Sequence, residues 1–220
     1  MIVAAEPFIR WDWVFDHLDE VRAATIEHLQ LALIAVAVGF LVATLLSMVA
    51  IRFRRAYAPI TWVTGIMYTV PSLALFGFLV GVFGTSTITA EIALVSYTLL
   101  ILVRNIVAGV DGVPPAVKEA ADGMGFTTWR RYFTVDLRLA TPAIVAGLRI
   151  ATVTTIGLVT VSALVGFGGY GSFIEDGLDR NFSTPIVLGA GLSIIMATAF
   201  DFILAGIGRL ATPWATKGRR

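Results

Sequence analysis

Residues 29–51, LQLALIAVAVGFLVATLLSMVAI, carry no formal charge, and only Gln30, Thr44 and Ser47 interrupt their apolar character. At a helical rise of 1.5 Å per residue the run is long enough to cross a hydrocarbon core of about 30 Å, which takes roughly 20 residues. It starts after His28, behind acidic rather than basic residues, and exceeds the apolar core of a secretory signal, so it reads as a retained membrane span. The whole chain agrees: of 220 residues 57% are hydrophobic and 14% charged, too apolar a mixture for an ordinary water-soluble domain.

Four more spans follow. Residues 56–90 contain no charged side chain, and Gly84-Thr85-Ser86 supplies the turn that divides two helices. Span two is therefore expected at about 60–82, and span three at about 88–110 with Glu91 near one end and Arg104 near the other. A polar stretch, 111–138, precedes span four at about 142–165, and a second precedes span five at about 186–204 or a turn beyond. The expected fold is an all-α integral membrane protein with about five transmembrane helices and its termini on opposite sides.

The charges orient it. Arg52, Arg54 and Arg55 follow span one; Lys118, Arg130, Arg131 and Arg138 lie between spans three and four; Arg209, Lys217, Arg219 and Arg220 follow span five. The other side holds only Arg10, Arg22 and Arg180, set among nine carboxylates from Glu6 to Asp179. Basic residues next to a membrane are held on the cytoplasmic side, so the N-terminus is expected outside and the C-terminus inside. Residues 1–28 read as an amphipathic helix lying in the outer interface, where Trp11 and Trp13 find their preferred depth. Residues 29–210 form the transmembrane domain and 211–220 a basic cytoplasmic tail.

Composition also excludes chemistry. There is no cysteine, and His17 and His28 stand without ligand spacing, which leaves metal and thiol sites unsupported. A net charge of +1 gives no basic face for nucleic acid. An intramembrane enzyme would need a convergent nucleophile and base, an ion channel a filter or a ring of like charges, and neither is legible. Gly166, Gly168 and Gly171 form a G-x-G-x-x-G, but it follows a transmembrane helix rather than a strand, so it reads as a sharp turn before a short helix around 172–178. Neither Lys118 nor Lys217 belongs to a Walker A sequence.

The stretch between spans three and four is built as a knob. Pro114 and Pro115 favour a helix start, Ala116 to Met124 can run as a short helix, and Gly125 can take the left-handed conformation that ends it. Thr127 or Thr128 can cap a second helix carrying Trp129, Arg130, Arg131 and Phe133. Ala120 and Ala121 keep one face thin, and Lys118, Glu119 and Arg130 offer charged contacts around it.

Glu119-Ala120-Ala121, then Gly125, then Val135 and Leu137, resembles the EAA motif of ABC importer permeases, with Arg138 where proline is common. The resemblance continues through Thr69-Val70-Pro71-Ser72-Leu73, Leu102-Val103-Arg104-Asn105, Ala146-Gly147-Leu148-Arg149 and the glycine-rich turn at 166–171, and there it is similar to osmoprotectant permeases of the ProW/OpuB type. It implies a cytoplasmic coupling helix seated in an ATPase dimer that binds the ATP, so this chain needs no cofactor. It further implies a second permease subunit, identical or paralogous, an extracytoplasmic substrate-binding protein, and a substrate such as glycine betaine, choline, carnitine or proline, with an amino acid as the alternative.

Within the spans, Arg104, Arg149 and Asp201 are ionisable, and such residues face a wet cavity or the protein interior. Either Asp201 pairs with one of the two arginines and helps hold an inner gate, or these side chains snorkel to the cytoplasmic interface and are solvated there. Pro71 removes a backbone hydrogen bond mid-way along span two and kinks it. With Tyr68, Ser72, Tyr97 and Asn105 it gives either a path lining or a set of helix-packing contacts.

Overall fold

The computed structural model describes residues 8–214, and among these there are helices and turns but no strand. Residues 1–7 of the expected N-terminal segment and 215–220 of the basic tail, with Lys217, Arg219 and Arg220, lie outside the described residues. The elements are α1 (Trp11–Asp16), α2 (Leu18–Arg52), α3 (Arg54–Thr69), α4 (Ser72–Phe83), α5 (Thr87–Asp111), α6 (Pro115–Gly123), α7 (Thr128–Arg131), α8 (Leu137–Val159), α9 (Tyr170–Asp179) and α10 (Ser183–Ala211). A π-helical turn, Tyr132–Asp136, joins α7 to α8, and a 3-10 turn, Val161–Val165, follows α8.

Four helices are long and apolar enough to cross a membrane, α2, α5, the continuous run Thr128–Val159 and α10, and α3 with α4 makes a fifth if the bent pair is one span. Span one extends further upstream than its apolar run. Helix α2 begins at Leu18, with Asp19 and Glu20 in its first turn and Arg52 in its last, each charge opposing the helix dipole. Residues 18–28 thus continue into the first span, and only α1 forms a separate short helix.

Span two differs from the expected kinked helix: α3 and α4 meet at a bend of 96°. Pro71 has no N–H to give and drives Val70 out of the helical region, which stops α3. Its carbonyl then accepts the Leu75 N–H at 3.0 Å and starts α4. Span three begins where expected because Ser86 caps it, its Oγ accepting the Thr89 N–H at 3.2 Å.

The described residues form two compact units, and each span runs from one into the other: residues 8–35, 70–94 and 154–198 make the first, 36–69, 95–153 and 199–214 the second. In the first, His28 is completely buried; its Nε2 lies 3.0 Å from the Ile156 carbonyl, and its Nδ1 accepts the Tyr170 N–H at 3.3 Å. Those partners fix the neutral tautomer with the proton on Nε2. Gly169, at φ +48°, brings the backbone so close that a Cβ there would lie 2.5 Å from His28 Cβ. Trp13 packs edge-on against Phe173 and Phe182 and stacks on His17, so this tryptophan is held by protein rather than left for lipid. Trp11 remains exposed.

In the second unit Ala43 and Ala50 of α2 pack with Leu99, Leu102, Val103, Ile106 and Val107 of α5 and Ala151 of α8. Small side chains let helix backbones approach closely where no hydrophobic drive operates between helices in lipid. Gly39 and Gly147 do this too: a Cβ on Gly39 would sit 1.9 Å from Thr98 Oγ1, and one on Gly147 2.5 Å from Asn105 Cβ.

Candidate functional site

The knob takes shape as its sequence dictates. Pro115 occupies the first turn of α6, where a missing N–H costs nothing. The helix closes in a Schellman motif, with Phe126 N–H on the Ala121 carbonyl at 3.1 Å, Gly125 N–H on the Asp122 carbonyl at 2.9 Å, and Gly125 at φ +80°. Thr127 then caps α7, its Oγ1 accepting the Arg130 N–H at 3.3 Å. The second helix of the knob does not stop: through the π-helical turn it becomes span four, so the knob is continuous with a membrane helix.

Glu119 and Ala120 are exposed on this knob, as are Met124 and Trp129. Ala121, expected on the thin outer face, is buried instead. Lys118 is turned inward, and its Nζ donates to the Val110 carbonyl at 3.0 Å, tying α6 to the end of span three. Arg130 lies over the Phe126 ring at 4.4 Å, and Arg131 bridges Asp122 and Asp136. Leu137 packs against Val110, Tyr132 and Ala140 at the knob's root.

Among the path residues, Tyr68 and Tyr97 meet edge-on at 6.1 Å, and Tyr68 shares an open groove of about 640 Å³ with Trp62, Leu100 and Arg104. Pro71 and Ser72 form the break before α4. Asn105 is engaged elsewhere, donating to the Ile101 carbonyl at 2.8 Å and packing on Gly147. Asp201 pairs with Arg149 rather than Arg104, through two hydrogen bonds of 2.8 and 2.7 Å to the guanidinium. This fork geometry between spans four and five is the strong form of an ion pair.

Two buried groups carried no sequence signal. Glu91 has both carboxylate oxygens buried without a partner, and so has Asp136 for its Oδ1. Among the described residues no group of three or more His, Asp or Glu could hold a metal ion.

About five membrane helices with a proline-started, glycine-closed knob between spans three and four agree with what the resemblance to the membrane subunit of an ABC importer implied. Residues 28–211 match the family described as binding-protein-dependent transport system inner membrane component, and the chain belongs to that family. It is 34% identical to the glycine betaine/carnitine/choline transport system permease protein OpuCB of Bacillus subtilis (strain 168), over 91% of this chain and 93% of that one. It is 36% identical to the choline transport system permease protein OpuBB of the same organism, over 88 and 89%. The osmoprotectant import permease protein OsmW of Salmonella typhimurium (strain LT2) is 29% identical over 91 and 96%. The fold is similar to that of a chain in a solved structure of the MetNI methionine ABC transporter in an inward-facing conformation, with a TM-score of 0.77 at 19% identity over 90% of this chain and 98% of that one.

The ion pair yields a first prediction. Asp201→Arg should reduce uptake severalfold by setting two cations side by side, and a second change, Arg149→Asp, should restore most of it. Arg104→Asp in the same background should restore none, as measured by uptake in cells at matched membrane levels.

Proposed function

We propose that this chain is the permease subunit of an importer for a small osmoprotectant: a quaternary amine such as glycine betaine, choline or carnitine, or proline. The reading is carried by its likeness, over about nine-tenths of its length, to permeases whose names specify those solutes. The N-terminus lies outside and the knob and C-terminus in the cytoplasm, a topology supported by the clustering of Arg52, Arg54, Lys118, Arg130, Arg138 and Arg209 at alternate loops.

Two such subunits, identical or paralogous, enclose the path, and an external binding protein delivers the solute. Two ATPase subunits bind and hydrolyse ATP, each seating one knob by the exposed Met124 and Trp129 with Glu119 and Arg130 at the rim. Because α7 continues into α8, displacement of the knob tilts span four as a lever. Span four carries Arg149, so the same movement loads the Arg149–Asp201 pair that joins it to span five. The permease needs only modest affinity, since alternating access requires release on the inner side.

The test is uptake by cells stripped of their own osmoprotectant importers and expressing this chain with its cognate ATPase and binding protein. Accumulation of labelled glycine betaine, choline, carnitine or proline is the expected result. Uptake of methionine or histidine with none of those four would move the assignment to the amino-acid alternative.

A further inference from the structure

A cavity of about 190 Å³ opens at the root of the knob, enclosed by the last turn of α2, the start of α3, the end of α5, α6 and the α7–π segment. Its floor is aliphatic and its walls bear Arg52, Arg54, Lys118, Arg131, Tyr132 and Asp136. Four cations and one carboxylate is an unbalanced set. Some of these charges have partners: Arg54 is engaged by Asp111, and Arg131 by Asp122 and Asp136. Lys118 gives one of its three protons to the Val110 carbonyl and keeps two, and Arg52 has no carboxylate partner among the described residues.

The walls also hold two unsatisfied polar atoms. Tyr132 and Asp136 are only 5 and 3% exposed, yet Tyr132 Oη and Asp136 Oδ1 have no hydrogen-bond partner. Leaving such groups unpaired costs free energy, and native interiors rarely do so. The occupant that satisfies the set must bring anionic oxygens for Lys118 and Arg52, an N–H donor for Asp136, and an oxygen or N–H for the Tyr132 hydroxyl. A bare phosphate brings no cationic donor to the Asp136 carboxylate. A trimethylammonium lacks the N–H, which separates this cavity from the transported quaternary amines.

We propose that the cavity binds the phosphoethanolamine head group of a membrane lipid, the phosphate on Lys118 and Arg52 and the primary ammonium on Asp136. A lipid is the source because the cavity lies where the apolar runs of α2 and α5 end, at head-group depth, and basic pockets between membrane helices recognise lipid head groups. Assignment to the cytoplasmic leaflet rests on the topology proposed above; the binding itself does not.

The experiment is native mass spectrometry of the purified full-length protein titrated with phosphatidylethanolamine, phosphatidylcholine or phosphatidylglycerol of matched chains. The ethanolamine lipid is expected to bind at least about tenfold more tightly than either other lipid, the scale of one charge-assisted hydrogen bond. Lys118→Ala should weaken all three lipids alike, since each carries the phosphate, and Asp136→Asn should erase most of the preference. Tyr132→Phe, which keeps the ring packing, should weaken it if Asp136→Asn fails to fold. Equal retention of the three lipids, or an undiminished preference in Asp136→Asn and Tyr132→Phe, would overturn the proposal. Equal binding of soluble O-phosphoethanolamine would assign the site to a water-borne ligand and refute the lipid source. No transport readout enters, so a wrong substrate assignment leaves the result unaffected.

Discussion

The substitution Gly171→Val is expected to leave almost no correctly folded protein in the membrane. A Cβ at this position would lie 2.1 Å from the Thr160 carbonyl oxygen and 2.7 Å from its carbon and Cα. All three are backbone atoms of the turn that ends span four, so no flexible side chain can move aside. Two neighbouring glycines are also crowded by immobile groups. Gly168 would meet the Ala163 backbone at 2.4 Å, and Gly169 combines a positive φ with contact on His28. Overpacking a well-packed site costs about 1–3 kcal/mol and occasionally more. Here the immovable neighbours put the cost at the upper end or beyond it. The measurement is the fraction of monodisperse protein recovered in detergent, with Gly191→Ala, where a Cβ meets nothing within 4 Å, as a control of near-normal yield. Normal recovery of Gly171→Val would show that α9 does not pack against Thr160.

Glu119→Lys is expected to abolish uptake and substrate-stimulated ATP hydrolysis, a loss well beyond tenfold, while the protein still inserts and folds. Glu119 is exposed, and its carboxylate has no partner among the described residues, so reversing it costs the isolated subunit little. Its effect must therefore come from whatever the knob touches. Gly125→Asp should act on the same coupling by a different route. A Cβ there meets no neighbour, but φ is +80°, and an L-residue pays about 1–2 kcal/mol to stay left-handed. Asp is among the side chains that tolerate this region. The knob should then form with its closing turn strained and its exposed face displaced. Basal ATPase activity of the assembled complex, read beside uptake, separates uncoupling from misassembly.

The spans were legible in the sequence because charge is so costly in lipid that apolar runs announce themselves. The knob was legible because Pro115 and Gly125 each impose a local geometry that few other residues supply. Other features had no such signature. Nothing in Tyr132-Phe133-Thr134-Val135-Asp136 marks a π-helical turn, so the fusion of the second knob helix with span four was hidden. Pro71 signalled a break but not its angle, which neighbouring helices decide. Lys118 turns inward because the Val110 carbonyl at the end of span three lies within reach, a tertiary fact that sequence spacing does not contain. His28 looked like a polar flank to an apolar run, yet it is a buried clasp, since the partners that satisfy it lie more than a hundred residues away. An arginine partner for Asp201 was one of two readings, and the choice of Arg149 over Arg104 depended on how spans four and five pack.

The most direct test of the lever uses the absence of cysteine from the chain, which makes a cysteine at position 120 unique. In the intact complex, Ala120→Cys should form a short-range cross-link to the ATPase subunit. In whole cells it should resist a membrane-impermeant maleimide. Labelling of that cysteine from outside, or its failure to cross-link to the ATPase in an actively transporting complex, would contradict the account.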